Sequence, residues 1–423
     1  MKLFNFFSFL IAIPLLLFSE THYEVFVDPY FSPYMGSESI FTLHKSLEKK
    51  EDSFIKPTDP PKRGILPGLG RFLELNLFWF PVNSFADVVQ HEVFGHGYRA
   101  RSIHAGVASY SFDLPIPYGS GGGATAWMPT YSTTVGQFQA VTLAGLEAEN
   151  ILARQLKLKW LVDRRVDPRA KSLYEMAQLS SLLYSLVPSI EDNKIEGEEE
   201  ELDPIFTSHD VEAYIRMLNT MYPDDFLSMH RLRQSLFWNL VDPMLYYGTA
   251  ASWYYIFTGK SLYIPMIRIG PVSFLPNISV QLAPYGIEYY LENYLTYKNS
   301  PIYTYVKGGK HNQMEYFGCG IHYDEIIRQD NFSIGMRLDA WSQPNFLFNW
   351  TLDQLIEKER PINTIIHAME RKLGASASIV SRYRIKDTLT FFYSDLGYKT
   401  KGYLPGFPLQ SSPTIRLGIS AEF

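Results

Sequence analysis

One cysteine, Cys319, is the chain's whole supply of thiol. It excludes an internal disulfide and every cysteine-rich zinc site, so any metal must sit on His, Asp or Glu. A single cysteine of this kind is by default a packing residue. Positive charge is also scarce: 38 Lys and Arg stand against 44 Asp and Glu, for a net charge of -6. No basic surplus is available to hold nucleic acid, which is not expected as a partner. The glycine-rich stretch from Pro115 to Gly123 has no helix-opening Lys-Ser/Thr, which argues against a phosphate cradle. The apolar stretch from Leu227 to Phe257 is interrupted by Asp242-Pro243, which argues against a helix crossing a membrane there.

Apolar and aromatic residues, by contrast, are plentiful. Hydrophobic residues make up 46% and charged residues 19%, the balance of a folded chain. Aromatics reach 15%, as in β-rich proteins, membrane-interface proteins and large aromatic cores. The N-terminus has Lys2, then an almost wholly apolar run from Leu3 to Phe18, then a polar exit at Ser19. That order reads as an export signal over 1–19, cleaved near Ser19 or retained as an anchor.

Residues 20–65 read as a proline-rich lead-in, and 66–259 as a helical unit. The pattern is helical from Leu66 to about Gly106, with Phe85, Val88, Val89, Val93 and Phe94 on one face. Two short strands follow, Val107 to Leu114 and Ala124 to Met128, then a long helix from Thr133 to about Arg165. The run Glu198 to Glu201 reads as a solvated acidic loop.

After Gly259 the texture changes to short aromatic and β-branched runs separated by turn residues. A helical interruption is expected over Leu352 to Lys372. In the last ten residues Ile415, Leu417, Ile419, Ala421 and Phe423 share one face, and Arg416, Ser420 and Glu422 the other. This ending resembles the closing strand of bacterial outer-membrane β-barrels, which alternate lipid-facing and lumen-facing side chains. The expected fold is therefore α+β: a helical metallohydrolase-like unit, then a β-rich unit over 260–423. That unit is either barrel-like and membrane-associated or a soluble β-domain.

The chemistry centres on His91-Glu92-Val93-Phe94-Gly95-His96. A zinc hydrolase needs neutral imidazoles for the metal and a carboxylate to take a proton from water. Two His ligands on a regular helix stand at i and i+4, about 40° apart around the axis. Here they stand at i and i+5, about 140° apart on a straight helix. One residue absorbed as a π-bulge near Val93 to Gly95 would bring them together, and Gly95 eases that distortion.

This H-E-x-x-x-H arrangement resembles the zinc motif of the dipeptidyl peptidase III family, including the Gly before the last His. The resemblance implies that His91 and His96 bind zinc and that Glu92 is the general base. It covers six residues. The family's second motif, paired Glu followed by Arg-Ala-Glu, is absent in recognisable form, so the resemblance carries chemistry and not substrate. Metallopeptidases of the gluzincin type place a Glu ligand on a downstream helix, and Ala144 to Asn150 resembles that arrangement. It implies Glu147 as third ligand, with Glu149 as the alternative. Gly145 would let the two helices approach, and Asn150, at i+3 from Glu147, would hydrogen-bond a ligand. His104 and His209 are further candidates. Gly123, Ala124 and Ala126, on an edge strand, would bind substrate by pairing with an extended peptide.

The expectation is an exported zinc-dependent peptidase of the bacterial cell envelope, in the periplasm or outer membrane, acting on a peptide or protein. Two alternatives stand beside it. One is an outer-membrane barrel or envelope structural protein whose His-Glu segment is structural. The other is a metal-binding protein without turnover.

Overall fold

The computed structural model describes residues 22–54, 61, 63–113, 122–187, 209–297, 300–356, 370–386 and 388–422. The export signal, Gly119, Gly121, the acidic run Glu198 to Glu201 and Phe423 lie outside them.

The chain begins with strand β1 (His22–Val27) and helix α1 (Pro33–Phe54). From Ile65 to Ser102 it forms one helical rod: α2 (Ile65–Leu73), a π-helical segment (Glu74–Trp79), α3 (Phe80–His91), a second π segment (Glu92–His96) and α4 (Gly97–Ser102). The ribbon β2 (Gly106–Phe112) and β3 (Gly123–Met128) follows. Thr134 then opens α5 (Val135–Thr142) with a reciprocal cap, its hydroxyl accepting from the Gln137 amide while the Gln137 side chain accepts from the Thr134 amide. The long helix expected from Thr133 is broken at Leu143, and α6 (Ala144–Asp163) continues it. Arg164, at φ 52°, ends α6 in the left-handed conformation. Next come β4 (Arg165–Val166), α7 (Lys171–Leu186), α8 (Asp210–Met221), α9 (Met229–Leu236), a 3-10 turn (Phe237–Val241) and α10 (Pro243–Thr258).

The remainder is mostly sheet: β5 (Leu262–Tyr263), β6 (Ile267–Ile269), β7 (Val272–Ala283), β8 (Gly286–Tyr297), β9 (Ser300–His311), β10 (Met314–Gln329), β11 (Phe332–Pro344), the short α11 (Leu352–Ile356), β12 (Arg371–Arg384), β13 (Thr390–Lys399) and β14 (Ser412–Glu422). Strands β6 to β14 are joined to sequence neighbours, and β1 pairs antiparallel with β14. The result is a ten-stranded antiparallel sheet in the order β1-β14-β13-β12-β11-β10-β9-β8-β7-β6.

The α+β class holds, with four differences from the sequence reading. The sheet is open, with β1 and β6 as its edges, rather than closed into a barrel. The lead-in is no lead-in: Tyr23 to Val27 alternates like the strand it pairs with, and α1 packs beside it. The helical interruption is confined to Leu352–Ile356 among the described residues, and Arg371 already opens a strand. Nor do the helical and β-rich parts keep separate cores. Leu152, Leu156 and Trp160 of α6 pack with Tyr290, Tyr294 and Tyr303 of the sheet in one buried cluster. Burial of the apolar stripe of α6 against the inner tyrosines makes the two parts one body. Among the described residues no helix is long and apolar enough to cross a membrane.

Candidate metal centre

The second π segment brings His91 and His96 face to face. The turn from Glu92 to His96 widens by one residue per hydrogen-bonded ring, which cancels the angular excess of the i+5 spacing. The two Nε2 atoms stand 3.1 Å apart. The close approach of α6 needs two glycines. A Cβ on Gly95 would lie 2.6 Å from the Ala144 carbonyl oxygen, and one on Gly145 would lie 2.2 Å from His91 Nε2.

The third member of the group is Asp210, the first residue of α8. Its Oδ2 lies 2.9 Å from His91 Nε2 and 3.2 Å from His96 Nε2. Behind the imidazoles, His96 Nδ1 lies 2.7 Å from the Val141 carbonyl oxygen. A carbonyl can only accept, so Nδ1 of this ring carries a proton, and the neutral ring presents its lone pair at Nε2. His91 Nδ1 lies 3.1 Å from Glu149 Oε1, a close ion-pair contact off the ideal hydrogen-bond line. The His91 ring is stacked on Tyr184, with ring centroids 5.6 Å apart.

Two ring nitrogens and a carboxylate oxygen therefore converge from three directions. One shared proton leaves the third atom facing another lone pair, whereas protons on both imidazoles, or one bound cation in their place, satisfy all three. Tetrahedral zinc with ligands at about 2.0–2.1 Å sets their atoms about 3.3 Å apart. The observed 2.9, 3.1 and 3.2 Å come close to that spacing. The electrostatics agree. Burial opposes protonation of His91, but Tyr184, Glu149 and Asp210 outweigh it and hold its pKa well above the ordinary value. Burial likewise opposes charge on His96, and the Asp210 carboxylate overcomes it. Burial pushes Asp210 up, and the two imidazoles hold it far below the usual carboxylate range. The site favours positive charge beside an ionised carboxylate, and His91, His96 and Asp210 could hold a metal ion.

Glu92 sits on the same π segment, buried, with its charge felt by His96. Its Oε2 accepts a hydrogen bond of 2.7 Å from the Thr125 hydroxyl on β3. Gly123 is pressed against it, since a Cβ there would lie 2.8 Å from Glu92 Cγ. Ala124 and Ala126 pair with Ser111 and Ser109 of β2. Strand alternation points them away from the face that carries Thr125. The other edge of β3 pairs with no described strand.

The structure does not bring Glu147 to the imidazoles. Its carboxylate forms a buried ion pair with Arg99 and accepts from the Gly406 amide at 2.5 Å. Two positions along the helix, about 200° around its axis, decide this: Glu147 and Glu149 are both buried on α6 but face different neighbours. Glu149 reaches the outer nitrogen of His91 and stands as its orienting partner, the part expected of Asn150, which is half-buried on the same helix. His104 is exposed in a turn, and His209 caps α8 through the Glu212 amide, 3.3 Å from its Nδ1. Sequence reasoning missed Asp210. Its only local signal is its place at a helix start, which many Asp share.

A second group, His44, Glu48 and Asp167, has metal-like spacing. The Lys45 ammonium already lies 2.8 Å from Glu48, so this group has its cation. Comparison with protein families, with curated proteins and with solved structures gives no match for this chain.

Proposed function

We propose that the protein is a zinc-dependent hydrolase of the cell envelope, most simply a peptidase, with His91, His96 and Asp210 as ligands and Glu92 as general base. The observation that carries this is the convergence of two Nε2 atoms and Asp210 Oδ2 within 3.2 Å, with a buried carboxylate on the same segment. Three protein ligands with room for water are the pattern of catalytic zinc sites, and structural sites use four. Zinc held there would supply a Lewis acid that polarises a carbonyl and makes water acidic near neutral pH.

The chain's own residues do the rest. Glu149 and the Val141 carbonyl hold the imidazoles with Nε2 inward. Thr125 holds one oxygen of Glu92, which leaves the other to take the water proton and pass it to the leaving amine. The edge of β3 that no described strand pairs with, at Gly123, Ala124 and Ala126, would receive an extended peptide by backbone hydrogen bonds.

The test is elemental analysis of the purified chain with a protease assay on a mixed protein substrate. Zinc near one equivalent is expected in the wild type and in Glu92→Gln, with hydrolysis lost in Glu92→Gln. His96→Ala should lose the metal. A wild-type protein without zinc after metal-replete purification would refute the reading. Full zinc without hydrolysis of any peptide would leave a metal-binding protein without turnover.

A further inference from the structure

A sheet folded in water carries charge on its exposed face and apolar side chains on its buried one. This sheet carries apolar side chains on its exposed face as well, and charge lies among the tyrosines of its buried face. Its buried face holds paired charges: Arg382 on Glu24 at 2.6 Å, Arg416 on Asp395 at 2.8 Å and Lys307 on Glu288 at 2.9 Å. Its exposed face holds Leu291, Val306, Phe317, Met336, Ile379 and Leu417. Among the described residues of β8 to β14, outward-facing charges stand at strand ends, as Lys310 and Glu315 do beside the β9–β10 turn. A strand needs about 9–11 residues to cross the hydrocarbon core of a bilayer. Strands β8 to β11 have 12, 12, 16 and 13 residues.

The sheet stops at β1 and β6, and a helical wall joins its two sides. On one side Thr42 of α1 donates to the Glu24 carbonyl of β1 at 3.0 Å. Trp79, at the end of the first π segment, donates to Glu51 of α1 at 3.0 Å. Arg71 of α2 donates to the Ile256 carbonyl of α10 at 2.8 Å, and Tyr255 of α10 donates to Glu74 at 3.0 Å. On the far side Asn239, in the 3-10 turn before α10, accepts from the Val280 amide at 2.6 Å and donates to its carbonyl at 3.1 Å. That satisfies β7 where the three-residue β6 no longer reaches.

The outward face of this wall is apolar too, with Leu66, Leu77, Trp238, Trp253 and Phe257 at least half exposed. Helix α10 has 16 residues. At 1.5 Å per residue it is about 24 Å long, against an apolar band of about 25 Å on outer-membrane barrels.

We propose that the chain is embedded in a lipid bilayer, with the outer face of the sheet and the outer face of the wall forming one lipid-facing surface. The helices α1, α2 and α10 take the place of the strands that would close a barrel. Lipid, rather than a protein partner, is the occupant because the apolar surface runs along the outer face of the sheet and continues on α2 and α10. A partner would cover one side. Exposed apolar patches on soluble monomers seldom exceed a few hundred Å². No residue of the metal centre belongs to this surface, so a failed zinc assay leaves it untouched.

Cys319 supplies the probe, because the lone thiol is exposed on the outward face of β10. A spin label is attached there in the full chain, reconstituted in phosphatidylcholine vesicles. Labels are also placed in the Phe257→Cys, Leu66→Cys and Glu315→Cys variants of a Cys319→Ser background, each checked for native circular dichroism. The labels at 319, 257 and 66 should be accessible to oxygen and several-fold shielded from a water-soluble nickel chelate. The label at 315 should be open to nickel. Nickel access at 319 in vesicles overturns the lipid-facing sheet. Shielding at 319 with nickel access at both 257 and 66 overturns the wall. Equal shielding without lipid, in an oligomer, means that a second copy covers the face and also overturns the proposal.

Discussion

The imidazole of His91 occupies the space that a side chain on Gly145 would fill, with its Nε2 only 2.2 Å from where that Cβ would stand. The glycine is therefore part of the centre without contributing an atom to it. The neighbouring carbonyl of Ala144 crowds Gly95 in the same way, at 2.6 Å. The π segment and α6 meet backbone to backbone.

Gly145→Ala should displace the His91 ring. Overpacking of this kind costs about 1–3 kcal/mol. Zinc affinity should fall by at least tenfold, read by competition with a chromogenic chelator. Unchanged affinity would mean that the ring is not placed by this contact.

Asp210→Asn and Glu147→Gln should separate ligand from scaffold. Asp210→Asn removes a ligand charge and should lose the metal, with a modest change in melting temperature. Glu147→Gln strands the buried Arg99 guanidinium, for which breaking a buried pair costs about 3–5 kcal/mol. It should lower the melting temperature sharply while the folded fraction still binds zinc. The reverse pattern would restore Glu147 as ligand.

Glu149→Gln keeps the shape behind His91 but removes the charge that faces its outer nitrogen. Loss of such a partner weakens metal binding by about 10–100-fold. Competition titration and zinc stoichiometry would read the change. A variant that binds zinc as the wild type does would show that Glu149 is only a buried neighbour.

Thr125→Val removes the hydroxyl that holds Glu92 and leaves the ligands alone. Zinc content should stay the same, and kcat should fall by about tenfold, a part of the 10²–10⁴ that a positioned base contributes. Equal losses in zinc and rate would instead point to a collapsed strand.

The motif itself was legible in the chain. The i+5 spacing of His91 and His96 leaves a regular helix unable to present both rings on one side, and the π segment lies at the residues where the extra one had to be absorbed. The need for Gly145 was legible too, as the small residue in a helix that must come close. The alternation of Ile415, Leu417 and Ile419 with Arg416 and Ser420 likewise appears as exposed against buried side chains.

What the chain alone determined is local: helical period, strand period, the widened turn, and the two imidazoles with a carboxylate between them. These depend on residues a few positions apart, where backbone geometry fixes who faces whom. What only the tertiary structure decided is which distant side chain joins them. Asp210 lies more than a hundred residues beyond His91 at the start of an ordinary helix, and Glu147 and Glu149 differ by two positions and face different neighbours. The packing angle of α6 against the π segment turns one to Arg99 and the other to His91. The same holds for the sheet. Most of its strands after Gly259 are readable one by one, but β1 is not, nor is its pairing with β14 from the other end of the chain, nor the helices that stand between β1 and β7. Those pairings are long-range, and nothing in a strand's own period names its partner.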